Sequence, residues 1–479
     1  MRQFALDRLD VEPGRVIRWR LASTAAEHAC EGGAERRQAS FNQVKHFSTI
    51  EESRRAGEPF ASWLALTFEI EGQLDHAALE SSFLSLARRH EVLRCEFRRL
   101  AGDLSAATYP VDEVRLEAED VGEFGSQEEL RAFLSESFRQ ETDALVWPLY
   151  TMGAVVREGG PTTVYLAFDH IVADGISMLN VVHEIQVVYA SLHRGEEPHL
   201  PEVGSYAEFA HEQRRRFASL RIEDPCLDGW RSFAERGGGF FPRFPLDLGV
   251  DPELMYPPVH ESALLLGARD TEALDLRCRE AGGRMFMGLL AGVAVSLRDL
   301  GGPETYRALM PVSERGGGAL RNSLGWYVNT LPIEFPVAGF PSFPHGPDLS
   351  DLARLLGDVR ESFTATTENL QVPFVRAWEL LAPQHFTARS WPFPVNFFSY
   401  IDTRKGPGSE HHPRWKPVLH VWSSATNGTN SWFVRDAEGL HIDSIYADTP
   451  QARATMASLQ HVLGETLLAM AAADVPVRV

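Results

Sequence analysis

The sequence predicts a mixed α/β fold in two lobes, and three observations support this prediction. Strand-like runs alternate along the chain with segments whose apolar residues recur at helical spacing. The chain has 479 residues, 44% of them hydrophobic, so it is long enough to bury more than one core. A polar, proline-containing stretch at residues 193–205 interrupts the pattern. We therefore expect lobes at residues 1–195 and 196–479.

Two strand–helix pairs are predicted in the first lobe. The run Trp63–Ile70 has strand character, and Leu74–Arg89 carries apolar residues at helical spacing. The run Thr162–Phe168 is predicted as a further strand, with Val164, Leu166 and Phe168 on one face. A helix with an apolar stripe follows at Ser177–His193.

The second lobe is also predicted to mix helices and strands. Its helices are expected at Tyr206–Leu220, Met285–Leu297 and Gln451–Ala472, and its strands at Tyr327–Phe335, Pro394–Tyr400, Val418–Trp422 and Ser431–Val434. Because both halves contain both kinds of element, we expect two lobes of similar build. The joint between such lobes is a common place for a binding site.

Charge and composition exclude several classes of protein. The chain has 46 Lys and Arg against 66 Asp and Glu, a net charge of −20, so nucleic acid and anionic membranes are not expected partners. Acidic residues occupy the start, where a signal peptide has an apolar run, and Met285–Leu297 is too short to cross a bilayer. Cys30, Cys95, Cys226 and Cys278 lack the spacing of a metal site. We expect a cytoplasmic protein without a bound metal.

The segment Phe168–Ser177, FDHIVADGIS, is the most informative part of the sequence. His170 ends a buried strand, where one ring nitrogen can face a cavity while nearby backbone holds the other, as a general base requires. Asp174 precedes a helix and could cap it, or anchor the loop through a cation. Gly175 permits backbone geometry that a side chain would forbid. A histidine at a strand end is nevertheless more often structural than catalytic.

Five further segments, in order along the chain, extend this pattern. They are Ser40–Gln43, Arg89–Phe97, Tyr206–Ala210, Ser323–Pro332 and Val372–Phe374. With Asp169–Ser177 they resemble the SxAQ, RHExLRTxF, YxDFA, IGxFVNTLP, PF and HHxxxDGxS elements of the condensation domains of nonribosomal peptide synthesis. Those domains belong to the chloramphenicol acetyltransferase-like acyltransferases. Six elements in the expected order are specific to this family.

The resemblance implies a fold and a set of site residues. The fold is two chloramphenicol acetyltransferase-like lobes in a V, with a central tunnel. His170 matches the catalytic histidine, Asp174 the aspartate that props its loop, and Gly175 the glycine whose N–H lies beside the reacting carbonyl. Arg315 stands where the family has an arginine, contributed by the other lobe, that pairs with this aspartate. The residues expected to line the tunnel are Trp326, Asn329, Asn396 and Ser399.

The implied activity is acyl transfer in natural-product biosynthesis. A free-standing enzyme is expected to take an acyl or aminoacyl group from a carrier-protein thioester and pass it to an amine or alcohol. The expected partners are an acyl or peptidyl carrier protein and a small acceptor. We expect a monomer with no bound cofactor, whose donor carries phosphopantetheine. Three alternatives stay open: a coenzyme A-dependent acyltransferase, a non-catalytic carrier-binding module and a heterocyclization enzyme.

The chain departs from the family pattern at three places. Asp169 replaces the first histidine of the motif, which gives the DxxxxDxxS pattern of heterocyclization domains, although those lack His170. Asp169 is predicted to orient or electrostatically tune His170. Glu334 replaces an arginine, and the family's RNPLFQ element is missing near residues 389–395.

The arginines at 214–216 are interpreted as a solvated helix face, with docking of an acidic carrier protein as the alternative.

Overall fold

The chain folds as two compact units, each assembled from three stretches of sequence. The computed structural model describes residues 1–4, 9–22, 35–57, 60–342, 348–367, 371–386 and 391–473. Unit 1 comprises Met1–Ser219, Ser313–Val328 and Thr403–Ser424, and unit 2 comprises Leu220–Val312, Asn329–Asp402 and Ala425–Val479. This division differs from the single boundary predicted at residues 195–196, because two segments from the later half of the chain fold with unit 1.

Helices and strands alternate along the described residues, and the predicted mixed α/β class is confirmed. The helices are α1 (Phe41–Arg55), α2 (His76–Arg89), α3 (Gln127–Glu141), α4 (Gly175–His193), α5 (Tyr206–Phe217), α6 (Asp228–Gly237), α7 (Ala268–Glu280), α8 (Met285–Asp299), α9 (Leu349–Thr367), α10 (Phe374–Leu381), α11 (His412–Trp415) and α12 (Pro450–Ala471). The strands are β1 (Arg2–Phe4), β2 (Arg15–Leu21), β3 (Glu35–Gln38), β4 (Ser62–Ile70), β5 (Cys95–Leu100), β6 (Asp103–Thr108), β7 (Leu116–Glu123), β8 (Tyr150–Val156), β9 (Thr162–Asp169), β10 (Pro258–Gly267), β11 (Thr305–Ser313), β12 (Val328–Pro336), β13 (Phe398–Asp402), β14 (Val418–Ser423), β15 (Thr429–Arg435) and β16 (Gly439–Ala447).

Unit 1 is built around a seven-stranded sheet with the order β1-β14-β4-β9-β8-β2-β7. β1 runs parallel to β14, and the other neighbours are antiparallel. A smaller sheet has the order β3-β6-β5. β14 pairs along its whole length with β4, which is why the segment Thr403–Ser424 belongs to this unit. The residue pattern of a strand indicates that it belongs to a sheet, but it does not identify the neighbouring strand. The pairing of β14 with β4 could therefore not be predicted from the sequence.

β9 and α4 position the histidine singled out from the sequence. β9 lies between β4 and β8 and is buried along its whole length, as expected of a central strand. The apolar stripe of α4 is also buried and consists of Met178, Val182, Ile185 and Tyr189. Asp174 caps α4, because its side chain accepts a hydrogen bond from the Ser177 N–H at 2.9 Å. The turn at residues 170–174 is therefore fixed by a buried strand and a capped helix.

Unit 2 has its own core between a sheet and several helices. Its larger sheet has the order β10-β16-β15-β13, and β11 pairs with β12. The predicted apolar helix is α8, which packs against α12, α7 and α9. Gly292 lets α12 approach closely, since a Cβ atom there would lie 2.6 Å from Cδ2 of Leu467.

The strand predicted at Pro394–Tyr400 is wrong in its first half. β13 begins only at Phe398. Pro394 has no N–H to donate to a sheet ladder. The stretch before β13 instead bonds to separate segments: the Asn396 N–H donates to the Pro242 carbonyl, and the Asn396 carbonyl accepts from Leu309, each at 2.9 Å.

None of the helices in the described residues is both long and apolar enough to span a bilayer. Cys95, Cys226 and Cys278 carry free thiols, and Cys30 lies outside the described residues. Within the same described ranges, no group of three or more His, Cys, Asp or Glu side chains is arranged to hold a metal ion.

Candidate active site

His170 stands at the end of β9, in the turn that leads to α4. Its backbone N–H donates to the Ser62 carbonyl at 3.2 Å, and its own carbonyl accepts from the Ala173 N–H at 3.4 Å. The residues that follow, Ile171 to Ala173, are fully buried. The His170 side chain is only partly buried. The backbone of the turn is therefore fixed, while the imidazole keeps some access to its surroundings.

The surroundings of His170 keep its ring neutral near pH 7. The pKa of His170 is lowered, first by burial and then by the nearby His46, while its own backbone, Asp174 and Asp169 oppose this shift. Its Nδ1 atom is buried and bonds to no other residue of the described chain. The indole of Trp326 lies against the imidazole, with ring centroids 4.1 Å apart and planes at 34°. Nε2 is thus the ring nitrogen left for a substrate.

Asp174 and Arg315 form a buried, bidentate ion pair. Arg315 Nη1 donates to Asp174 Oδ2 at 2.6 Å, and Nη2 donates to Oδ1 at 2.8 Å. The two residues are 2% and 4% exposed. The Tyr327 N–H also donates to Asp174, at 3.1 Å, and Arg315 Nη2 donates to Ser177 Oγ at 2.8 Å. Asp174 therefore ties the start of α4 to the segment at residues 313–328.

Arg315 belongs to unit 1 and not, as predicted, to the second lobe. The segment Ser313–Val328 folds with unit 1 although its neighbours on both sides belong to unit 2. The ion pair itself holds this segment there, together with hydrogen bonds from Ser177 Oγ to the Gly325 carbonyl at 3.1 Å and from Asn180 to the Arg321 carbonyl at 3.1 Å.

Gly175 begins α4 and is partly exposed. The first amides of a helix have no acceptor within the helix. Asp174 takes the Ser177 N–H, but no acceptor for the Gly175 N–H is present among the described residues. This N–H carries the positive end of the helix dipole and is free to donate to an anionic oxygen.

His46 is a site residue that no motif in the sequence predicts. It lies on α1, and its Nε2 atom is 2.8 Å from Oδ1 of Asp169. Asp169 is fully buried, and the same oxygen accepts the Ile171 N–H at 2.8 Å. Asp169 is thus bonded to His46 and to the turn, while its side chain makes no hydrogen bond with the His170 ring. A lone histidine on a helix with no catalytic spacing gave no signal in the sequence.

Two of the family-like segments meet next to this turn. Ser40 and Gln43 form a capping box at the start of α1, and Gln43 Nε2 donates to the Ile171 carbonyl at 3.0 Å. The Tyr206 hydroxyl lies 3.1 Å from Ser40 Oγ and 3.1 Å from the Trp326 carbonyl. Gln43 therefore holds the turn through the Ile171 carbonyl, and Tyr206 holds the backbone of Trp326.

Gly325 allows the loop beside Trp326 to pass Tyr206. Its φ angle is +154°, and a Cβ atom there would lie 2.2 Å from Cδ2 of Tyr206. A side chain at this position would displace either Tyr206 or the loop. Close packing against Tyr206 therefore explains why the Ser323–Pro332 segment has a glycine at position 325.

The RHE-like segment has a structural role. His90 is buried; its Nδ1 atom accepts the Leu324 N–H at 3.3 Å, so its Nε2 atom carries the proton that faces Glu184 at 2.9 Å. Both ring nitrogens of His90 are therefore hydrogen-bonded, in contrast to the Nδ1 atom of His170.

Of the residues expected to line a tunnel, Trp326 belongs to unit 1 and lies beside His170, whereas the other three belong to unit 2. Asn329 donates to the Val372 carbonyl and accepts from Phe374, at 3.1 and 2.8 Å, so its amide holds this loop. Asn396 donates to the Arg307 carbonyl at 2.7 Å and lines a cavity of about 1140 Å³ within unit 2. Ser399 is a half-buried residue of β13.

Two charged departures from the family pattern are accommodated locally. Glu334 bonds to Arg307 and to Arg236, so the acid that replaces an arginine is neutralised inside unit 2. In the stretch 214–216, Arg214 pairs with Asp103 at 2.8 Å and Arg215 with Glu212 at 2.8 Å, while Arg216 lies over the Phe217 ring. This helix face carries carboxylates beside its first two arginines and is not a bare cationic patch.

Comparison with known proteins finds one family across most of the chain. The family model described as "Condensation domain" matches residues 56–399. The chain is 28% identical over 401 residues to 2'-acyl-2-O-sulfo-trehalose (hydroxy)phthioceranyltransferase PapA1 of Mycobacterium bovis (strain BCG / Pasteur 1173P2), covering 83% of this chain and 74% of that protein. It is 26% identical over 458 residues to acyltransferase PapA3 of Mycobacterium tuberculosis (strain CDC 1551 / Oshkosh), covering 93% and 91%.

A solved structure shares the fold. The structure of PapA2 acyl transferase matches with a TM-score of 0.86 and 21% sequence identity, covering 98% of this chain and 100% of that chain. This match confirms the predicted chloramphenicol acetyltransferase-like fold.

Proposed function

Because the chain belongs to the condensation-domain family and is an acyltransferase, we propose that it transfers an acyl group from a phosphopantetheine thioester to a hydroxyl group, with His170 as general base. The observation that carries this proposal is the position of His170 at the end of β9, with its ring against Trp326 and its pKa lowered by burial. A hydroxyl acceptor is supported by PapA1, whose name describes acyl transfer involving a sulfated trehalose. An amine acceptor is the alternative.

The first step forms the carbon–oxygen bond. The acceptor oxygen attacks the thioester carbonyl while its proton moves to Nε2 of His170. Neutral His170 is ready to take this proton, because burial disfavours its charged form. General-base assistance of this kind is typically worth about 100- to 10,000-fold in rate.

The second step breaks the carbon–sulfur bond. The attack places negative charge on the former carbonyl oxygen, and the free Gly175 N–H is the donor we assign to it. When the carbonyl re-forms, the thiolate leaves and takes the proton from His170. The products are an ester and a free phosphopantetheine thiol, and His170 returns to its neutral form. No residue of the protein is acylated.

The donor is proposed at the level of the phosphopantetheine arm, which carrier proteins and coenzyme A share. A carrier protein is the donor of the family that the sequence resembles. An acidic carrier needs a cationic surface, and the candidate face at residues 214–216 is partly neutralised by Asp103 and Glu212. This pairing favours coenzyme A as the alternative donor more strongly than the sequence alone did.

The experiment is a donor–acceptor matrix read by mass spectrometry. Acyl groups of several lengths are supplied on a carrier protein and on coenzyme A, with hydroxyl and amine acceptors, trehalose and sulfated trehalose among them. We expect an ester product whose formation stops without the thioester. Amide products alone would overturn the acceptor assignment, and additional loss of water from a Ser, Thr or Cys acceptor would indicate heterocyclization. Carrier binding without any product would indicate a recruiting module.

A further inference from the structure

Helix α1 holds the catalytic turn at two adjacent points. Gln43 Nε2 donates to the Ile171 carbonyl at 3.0 Å. His46, one turn later on the same helix, bonds to Asp169 Oδ1, which in turn accepts the Ile171 N–H. Both polar groups of the Ile171 backbone are thus held through side chains of this helix. Ile171 directly follows His170, so these bonds constrain the backbone that carries the base.

His46 also contacts the aromatic support of the base. Its ring meets Trp326 edge-on, with centroids 5.4 Å apart and planes at 82°. Trp326 in turn lies 4.1 Å from the His170 ring. The centroids of His46 and His170 are 6.4 Å apart, too far for direct hydrogen bonding but close for two charges in a buried site.

The buried side chain of Asp169 depends on His46 as a hydrogen-bond partner. It is a fully buried carboxylate, and its Oδ2 atom has no hydrogen-bond partner among the described residues. A buried carboxylate is stable only when it is paired or well bonded. Among the described residues, its side chain accepts hydrogen bonds from His46 and from the Ile171 N–H. Loss of the imidazole would leave negative charge with a single backbone donor, in the residue next to the base.

We propose that His46 is a positioning residue for acyl transfer, which, paired with Asp169 and packed on Trp326, holds the His170 ring in its reactive orientation and balances the charge beside it. This inference rests on the proposed function of His170. His46 does not touch the reacting atoms.

The charges that face His170 predict opposite effects of the two partners. Asp169 and Asp174 come from its own turn, His46 from α1, and Arg315 reaches it only through Asp174. Removing the imidazole of His46 leaves Asp169 unbalanced, which stabilises protonated His170. Removing the charge of Asp169 leaves the imidazole of His46, which disfavours protonated His170. A purely structural pair would not move the titration of His170 in opposite directions.

The test is the acid limb of the kcat/KM profile, which reports the free enzyme's base. For His46→Gln we expect the limb to move to higher pH by about 1 unit, and for Asp169→Asn to lower pH by a similar amount. Their combination, which keeps a neutral hydrogen-bonded pair, should return the limb towards that of the wild-type protein. His46→Ala should lower kcat about 10- to 100-fold with KM little changed, because the ring of the base is misplaced.

The control is His90→Gln, which breaks another buried histidine–carboxylate pair of the same unit. It should lower the melting temperature without moving the acid limb. NMR titration of ring-labelled histidines in the substrate-free protein reads the pKa of His170 directly, so the inference is testable even if no donor is turned over. The proposed role of His46 would be overturned if the acid limb of the kcat/KM profile did not move, or if it moved in the same direction in His46→Gln and Asp169→Asn. Absence of product from the wild-type protein would instead count against the proposed function.

Discussion

Breaking the ion pair between Asp174 and Arg315 should damage the fold as well as the rate. In Arg315→Met, the Asp174 carboxylate stays 2% exposed and keeps the Ser177 and Tyr327 N–H groups but loses two charge-assisted bonds of 2.6 and 2.8 Å. Removing one partner of a buried pair typically costs about 3–5 kcal/mol, because it leaves an uncompensated charge. At roughly 2–4 °C per kcal/mol, the melting temperature should fall by about 6–20 °C.

The assay is calorimetry and urea unfolding of three variants beside the wild-type protein. Asp174→Asn combined with Arg315→Met removes both charges and should be less destabilised than Arg315→Met alone, since no charge is left buried. Arg194→Met is the control: its partner Glu196 lies in the same unit, but both side chains are more than half exposed, so water screens the pair and the melting temperature should stay at that of the wild-type protein. An Arg315→Met variant as stable as Arg194→Met would refute the reasoning.

Two further predictions concern Glu314 and Gly325, which lie in the same segment of unit 1 as Arg315, Ser313–Val328. Burial raises the pKa of Glu314 from its usual 4.5 to about 7, so the folded chain keeps a proton that the unfolded chain releases, and stability should fall as pH rises from about 4.5 to about 7. In Glu314→Gln, the free energy of unfolding measured with urea should depend less on pH between about 4.5 and about 7. The same pH dependence in Glu314→Gln and in the wild-type protein would contradict a raised pKa of Glu314. Gly325→Ala should lower both stability and turnover, by about 1–3 kcal/mol for stability, because its Cβ would overlap Tyr206; Gly317→Ala, with open space around its Cβ, is the control, and equal losses in both would contradict the packing argument.

The sequence was most informative where structure is local. The predicted strand before His170 and the helix after it match β9 and α4, because alternation and helical spacing are set by near neighbours. A helix cap was one of the two roles expected of Asp174 from its place before that helix, the other being an anchor of the loop through a cation, and the structure shows the cap. The prediction at Pro394–Tyr400 was wrong in its first half because the Asn396 backbone bonds to Pro242 and Leu309, which lie far away in the sequence and which no local pattern identifies.

Long-range contacts could not be predicted in the same way. His46 and Asp169 are 123 residues apart, and neither sits in a spacing that connects them. The assignment of Arg315 to the second lobe failed because the chain leaves unit 2 at Ser313 and returns at Asn329, which no composition change marks. The departure at Asp169 stood out in the motif, but its partner lies on another helix, so only the folded structure shows what it bonds to.

The most direct test of the central claim is turnover by His170→Ala with a thioester donor and hydroxyl acceptor that the wild-type protein uses, measured by mass spectrometry of the ester. We expect turnover to fall by about 100- to 10,000-fold, the range of general-base assistance, with an unchanged melting temperature. Turnover close to that of the wild-type protein, in a variant that is folded, would contradict the assignment of His170 as the base.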